Sequence, residues 1–301
     1  MLAIIIPYYK LTFFEETLTS LANQINKKFK VYIGDDASPE SPSDLLEKFK
    51  GKFDFEYHRF ENNLGGISLT KQWERCISLS SNEEWLMILG DDDCLEETVV
   101  SLWYNHYDEF YGKSCVIRFA SKIINMKLNS DVSNLFSHPL WENAYDSYYR
   151  KFKGLTRSTL SEYIFLKESY LKYGFKNYPL AWGSDSYAWL EFPDGKMIYT
   201  INQSTVYIRY SDYSISGSND NAILKNKARI QFLENLITQK FQFFRKKQKL
   251  ELLMFYETSI KEWRKLKNNE WYFLFQFYIK NFTIISSIKF MRRFFKSTLN
   301  V

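Results

Sequence analysis

An alternation restricts the fold more than any other feature. Over the first hundred residues short apolar runs take turns with stretches of helical spacing, and two of the runs end directly in adjacent aspartates. Leu2 to Ile6 reads as a buried strand, and Val31-Tyr32-Ile33 is a second one that ends in Gly34-Asp35-Asp36. Phe55 to Phe60 is a third, and Trp85 to Leu89 a fourth that opens onto Gly90-Asp91-Asp92-Asp93. Between them, Thr12 and Glu15 have the spacing of a capping box, with Phe14, Leu18, Leu21 and Ile25 following at helical intervals. Ser41, Pro42 and Asp44 predict a short helix with proline at its first position, and Ile67 to Leu79 a longer one after Asn62-Asn63-Leu64-Gly65-Gly66. Apolar strands linked by helices predict a layered α/β sheet that is largely parallel.

From about residue 111 the pattern turns β-rich and irregular, with strands expected at Cys115 to Ala120, Tyr163 to Leu166 and Gln203 to Tyr210. Beyond residue 221 it is helical, with neither proline nor glycine. Three stretches are therefore expected: 1–110 and 111–221 as two halves of one α/β domain, and 222–301 as a helical region. The 301 residues, 45% of them hydrophobic, suffice for one large domain with an appendage.

Charge divides the chain at the same place. Residues 222–301 carry 17 basic against 5 acidic side chains, whereas residues 1–221 carry 23 against 30. An acidic body disfavours a polyanion, so no nucleic-acid partner is expected, and its clustered aspartates favour a cation. The basic-aromatic clusters Phe241 to Lys249 and Lys289 to Lys296 suit an anionic membrane surface, or equally a helical subdomain that packs its rings and solvates its lysines. The apolar stretch from Trp271 to Phe295 is broken by Lys280, Lys289, Arg292 and Arg293, and the apolar start of the chain is too short for a signal peptide. Cys76, Cys94 and Cys115 have no metal-ligand spacing and suggest no disulfide framework. A cytoplasmic protein is the expectation, either free or peripheral at the inner face of the cell membrane.

In open parallel sheets ligands bind beyond the carboxyl ends of the strands, where Asp35, Asp36 and Asp91 to Asp93 fall. Three adjacent carboxylates repel one another unless a cation neutralises them, so a Mg²⁺ or Mn²⁺ ion bridging to phosphates is one reading and a solvated acidic turn the other. Asp35 and Asp36 also have a plain turn reading. Gly-rich phosphate loops are excluded, because neither G-x-x-x-x-G-K-[ST] nor G-x-G-x-x-G occurs.

The blocks Ile4-Ile5-Ile6-Pro7-Tyr8-Tyr9, Ile33-Gly34-Asp35-Asp36-Ala37-Ser38, Asn63-Leu64-Gly65 and Trp85 through Asp93, in that order, resemble family 2 glycosyltransferases of the GT-A fold. The resemblance covers about the first 95 residues and reaches about residue 210 through a later motif, Trp182-Gly183-Ser184-Asp185. It implies a Rossmann-like nucleotide-binding sheet with a mixed acceptor half, and an inverting transferase that takes a UDP- or dTDP-sugar. The acceptor it implies is a glycan or polyprenyl-linked saccharide of bacterial capsule or O-antigen synthesis. By motif position, Pro7 and Tyr9 would line the base pocket, Asp36 would accept the imide N–H of the base, and Asp35 would support that loop. Asp92 with Asp91 or Asp93 would hold Mn²⁺ or Mg²⁺, and Asp91 would also bind the nucleotide, with Gly90 standing where the family's first aspartate usually does.

The resemblance also places the base at Asp185, at the start of a helix with Ser184 as its cap. An ordinary aspartate favoured by the helix dipole is the alternative. Trp182 is a candidate sugar contact, and Arg209, ahead of the loop Ser214 to Ser218, a candidate phosphate contact. His138 is the one histidine that suggests a pocket residue. A non-catalytic sugar-nucleotide or glycan-binding protein on the same fold is the rival reading; loss of the base would mark it, and Asp185 is present.

Overall fold

The structure is a computed structural model that describes residues 1–126, 131–212, 214, 217 and 221–298. The chain divides into two compact units, Met1–Ala222 and Ile223–Val301.

In the first unit the apolar runs form strands and the helical stretches cross between them: β1 (Leu2–Tyr8), α1 (Phe14–Ala22), β2 (Phe29–Asp35), α2 (Ser43–Glu47), β3 (Asp54–Arg59), α3 (Leu69–Ile77) and β4 (Trp85–Ile88). These four strands lie in the order β3-β2-β1-β4, every pair parallel. Residues of both parities in β1, β2 and β4 are buried, as expected for a sheet covered on both faces. Pro7 has no N–H to give, and it lies beyond the last rung that joins β1 to β4, at Ile5 and Ile88.

The same sheet then continues with mixed direction. The remaining elements are β5 (Cys94–Leu95), α4 (Val99–Asn105), α5 (Tyr107–Phe110), β6 (Val116–Asn125), β7 (Asp131–Val132), β8 (Trp141–Glu142), α6 (Ala144–Phe152), β9 (Tyr163–Leu166), α7 (Lys167–Tyr173), α8 (Ser184–Glu191) and β10 (Ile198–Tyr210). Strand β9 inserts antiparallel between β4 and β6, β10 runs parallel to β6, and β5 closes the edge antiparallel to β10. Behind the junction Trp85 meets Trp103 and Phe110 edge-on, at 5.8 and 5.4 Å between ring centroids.

Several boundaries differ from expectation because distant groups set them. Thr12 does not cap α1; Phe13 takes that position without a side-chain bond. The approach is fixed instead by Glu40, which accepts Leu11 N–H at 2.7 Å, and by Asp91, which accepts the N–H groups of Tyr9 and Lys10. The helix stops at Ala22, and Ile25, 64% exposed, bonds its N–H to Glu97 O. Pro42 sits at the cap of α2, not inside it, whereas Ser68 does cap α3. Strands β6 and β10 outrun their apolar cores, because polar residues such as Ser121, Lys122 and Thr200 still pair along the ladder, with a bulge between Ile201 and Thr205.

A buried polar cluster stands inside the mixed half. Arg118, fully buried, donates to Glu142, Ser147 and Thr200, and Arg150 donates to the same Glu142. His138 lies against Arg150 at 3.0 Å, so the residue expected near a pocket is interior. Its Nε2 has no hydrogen-bond partner, and burial together with two guanidinium charges depresses the imidazole to about 2.

The second unit consists of α9 (Ala222–Gln239), α10 (Lys246–Lys261), α11 (Asn268–Asn281) and α12 (Ile284–Thr298). Leu252, Leu253, Tyr256, Leu274, Tyr278 and Phe290 are among its buried residues, with Glu257 buried beside them and paired with Arg293 and Lys261. Among the described residues no helix is long and apolar enough to cross a membrane.

Candidate functional site

Pro7 to Tyr9 leave the carboxyl end of β1, Asp35 and Asp36 that of β2, and Asp91 to Asp93 that of β4. The topology thus gathers all three segments at one edge of adjacent strands. Pro7 is half-buried and Tyr9 is exposed there.

Asp35 is fully buried. Its Oδ1 accepts Ser38 N–H at 2.8 Å, and its Oδ2 accepts Tyr57 OH and Arg59 Nη1, each at 2.6 Å. It staples the turn after β2. Asp36 reaches the other way: Oδ1 accepts Leu64 N–H at 2.7 Å and the guanidinium of Arg75, and Oδ2 accepts Gly65 N–H at 2.8 Å. A Cβ on residue 65 would stand 2.5 Å from that oxygen, so glycine is required for the approach. Each carboxylate oxygen has two acceptor directions, which leaves Oδ2 room for one more donor. Between the turn's ends, Ala37 holds a positive φ of 53°.

The aspartates after β4 have three different fates. Asp91 accepts Tyr9 and Lys10 N–H through one oxygen, at 2.8 and 2.9 Å, and so locks the loop after β1 to the loop after β4. Asp93 is buried, with Oδ2 accepting Ser161 Oγ–H at 2.5 Å and Oδ1 accepting Arg209 N–H at 2.8 Å. Asp92 gives its backbone carbonyl to Arg209, but its carboxylate receives no hydrogen bond from any other described residue. Burial, then the charges of Asp93 and Asp91, push its carboxyl well above the usual range, against a weaker pull from Arg209. Burial also raises Asp91 and Asp93, the latter opposed by its bonds to Ser161 and Arg209. Gly90 leaves space that an aspartate would fill, since a Cβ there would already stand 3.0 Å from Asp92 Oδ1 and from Asp93 Oδ2.

Arg209, expected to reach phosphate, is committed elsewhere. Its side chain is almost fully buried, with Nε donating to Asp92 O at 2.9 Å, the guanidinium paired with Glu16 and stacked 4.1 Å from the Phe13 ring centroid. It braces the acidic loop from behind. The polar loop that follows, Ser214 to Ser218, lies outside the described residues except for Ser214 and Gly217.

Asp185 is in the first turn of α8 and half-buried. Ser184 does not cap that helix; Gly183, at φ 92°, takes the capping position, and the Ser184 hydroxyl is buried without a partner. Lys151 Nζ lies 3.8 Å from Asp185 Oδ2, and Ser186 Oγ lies 3.4 Å from Oδ1. Leu180 and Ala181, both at positive φ, precede this turn, which leaves Trp182 half-buried beside it. Tyr187 and Trp189 are core: Trp189 stacks on Tyr163 at 4.2 Å and donates to Thr159 O. The segment Thr159 to Ser161 therefore joins α8 to the acidic loop, one end held by Trp189 and the other holding Asp93.

Tyr57, Arg59, Arg75 and Ser161 were not foreseen. Each acts on an aspartate 22 to 68 positions away, so no local spacing announces it.

With a parallel nucleotide-binding half, a mixed half, and carboxylates at the ends of β2 and β4, the molecule is a GT-A glycosyltransferase. The chain belongs to glycosyl transferase family 2, whose profile matches residues 3–166, more than half of its length. In structure it is similar to residues 1–349 of S. aureus TarS in complex with UDP-GlcNAc, at 14% identity and a TM-score of 0.65, over 92% of this chain and 79% of that one. It is also similar to longer S. aureus TarS, at 15% identity and a TM-score of 0.59, over 92% of this chain and 49% of that one. GalNAc-T7 with UDP, GalNAc and Mn²⁺ matches at 11% identity and a TM-score of 0.50, over 70% and 44%. No curated protein matches the chain in sequence.

Proposed function

We propose that this glycosyltransferase is inverting and metal-dependent, and moves a sugar from a UDP- or dTDP-sugar to a glycan or polyprenyl-linked saccharide in bacterial capsule or O-antigen synthesis. The observation that carries the reading is Asp92, a half-buried carboxylate left without a donor between Asp91, one of whose oxygens holds two backbone N–H groups, and Asp93, both of whose oxygens are taken. Such a group calls for a cation, and a divalent ion of this kind binds through one or two carboxylates together with substrate phosphates. Among the described residues no cluster of three acidic, histidine or cysteine side chains would hold an ion unaided, which fits a site completed by the donor. Mn²⁺ or Mg²⁺ held by Asp92 would neutralise charge gathering on the departing nucleoside diphosphate.

Asp36 Oδ2 meets the imide N–H of uracil or thymine, which selects against cytosine, while Pro7 and Tyr9 flank the base. Asp91 and Arg209 keep the loops in place, and Asp93 is itself fixed by Ser161 and Arg209. Asp185 takes the proton from the acceptor hydroxyl as that oxygen bonds to the anomeric carbon. The bond from that carbon to the diphosphate breaks on the opposite face, so configuration inverts. Trp182, beside Asp185, is the sugar contact.

Titration calorimetry with UDP, dTDP and CDP, with and without Mn²⁺, tests the reading. Metal-dependent binding of UDP or dTDP that disappears in Asp92→Ala is expected. Equal diphosphate affinity with and without metal in the unaltered protein would overturn it.

A further inference from the structure

The last helix has two faces that are both apolar, and only one of them is used. On the inner face Phe290, 1% exposed, stacks 4.6 Å from Tyr278 and meets Trp271, Phe294 meets Trp271, and Arg293 pairs with the buried Glu257. On the outer face Ile284, Ile288, Met291 and Phe295 follow one another at i, i+4, i+7 and i+11, the spacing of a single stripe along a helix. Ile284 is 79% exposed, Ile288 61% and Phe295 50%. A parallel stripe runs beside it with the same spacing, Ile285, Lys289, Arg292 and Lys296, and all four are exposed. No ion pair engages these three cations among the described residues.

We infer that this face of α12 docks on an anionic lipid surface, with the isoleucines and Phe295 entering the headgroup boundary and Lys289, Arg292 and Lys296 meeting lipid phosphates. The charge pattern selects this occupant. Residues 271–301 contain no acidic side chain at all, so nothing on the face repels an anion. Three of the five acids in residues 222–301 are already matched inside the unit: Glu257 with Arg293 and Lys261, Glu262 with Arg229, and Glu270 with Arg264. A second copy that docked through the same face would set like charges against one another, and a nucleic acid would leave the apolar stripe wet. A helix that lies in the interface needs an apolar stripe bordered by lysine and arginine, which is the arrangement here. The inference extends the proposed function from the donor to the surface that would present a lipid-linked acceptor. Its test reads vesicle binding alone, so either can fail without the other.

Full-length protein is sedimented with vesicles of phosphatidylcholine, or of phosphatidylcholine mixed with phosphatidylglycerol, over a range of salt. Binding to the anionic vesicles only, weakening as salt rises, is expected. At roughly 1 kcal/mol per interfacial cation, Lys289→Gln/Arg292→Gln/Lys296→Gln should lower the affinity on the order of a hundredfold. Ile284→Ser/Ile288→Ser/Phe295→Ser should leave binding at low salt and lose it at physiological salt. Both variants alter exposed positions, and unchanged circular dichroism and melting confirm that they fold. Failure of the unaltered protein to bind anionic vesicles at low salt overturns the inference, as does binding that neither variant weakens. Self-association at micromolar concentration that the serine variant abolishes, without vesicle binding, would assign the face to a second copy instead.

Discussion

The turns after β2 and β4 are spelled almost alike, each an apolar run that ends in glycine and consecutive aspartates, yet they have opposite chemistry. After β2 every aspartate oxygen has a donor: Asp35 from Ser38, Tyr57 and Arg59, and Asp36 from Leu64, Gly65 and Arg75. After β4 Asp93 has a donor on each oxygen and Asp91 has two donors on one, while the carboxylate of Asp92 has none from any other described residue. A satisfied carboxylate stabilises and orients its loop, whereas an unsatisfied one raises the free energy of the fold until a ligand arrives. The difference between Asp92 and the engaged acids around it is one of vacant acceptor positions.

Asp185 is held more loosely than the acids after β2, by Lys151 at 3.8 Å and Ser186 at 3.4 Å. Asp185→Asn keeps the shape and removes the ability to take a proton. Turnover should fall by roughly 10² to 10⁴ while donor affinity persists. Turnover within about tenfold of the unaltered enzyme, measured on the true acceptor, would put Asp185 among the structural acids.

Asp35 should behave in the opposite manner. Asp35→Ala orphans Ser38 N–H and Tyr57 OH, and a loss of about 3 kcal/mol of stability by urea unfolding is expected, discounted for the half-exposed Arg59. A change under about 1 kcal/mol would mean that the turn after β2 is not held as described.

His138 supplies a control: a polar group without a partner for Nε2 and with no opening to a ligand. Its folded value lies far below that of the unfolded chain, so folding excludes the proton and stability is lost as pH falls below about 6.5. Between pH 7 and 5 the histidine should contribute about 2 kcal/mol of destabilisation, which His138→Asn removes from the slope. An unchanged slope would mean that the ring takes up a proton in the folded protein.

The smallest effect expected is a gain. The folded value of Asp92 is raised, so its ionisation at neutral pH disfavours the fold, and Asp92→Asn should stabilise the metal-free protein by about 1 kcal/mol. Melting temperatures at pH 7 and pH 5 should differ less for the variant than for the unaltered chain. A destabilised variant would contradict the assignment of Asp92 as the unsatisfied acid.

The parallel half was legible because β1, β2 and β4 are nearly continuous apolar runs, which is what burial on both faces demands, whereas the edge strand β3 alternates Phe55 and Tyr57 with exposed residues. Helix starts were read less well: Thr12 and Glu15 have the right spacing, but Glu40 and Asp91 fix the incoming chain from a distance. The two-residue strands β5, β7 and β8 exist only as partners of β10 and β6, and carry no pattern of their own. At the site the acids were visible and their roles were not, since the residues that engage them, Arg59, Arg75 and Ser161, come from remote segments. Arg209 was noticed for its position at a strand end; its burial against Phe13 and Glu16 is purely tertiary.

The path of the chain after β4 also sets a timetable for biosynthesis. Asp93 leaves the ribosome 68 residues before the hydroxyl of Ser161 and 116 before the backbone N–H of Arg209, and it needs both to take its seat. A nascent chain arrested after β4 would carry the whole acidic triplet without its shape. Arrested chains released before residue 209 should pass through an immobilised-UDP column that retains longer ones, so that competence to bind donor is among the last properties the growing polypeptide acquires.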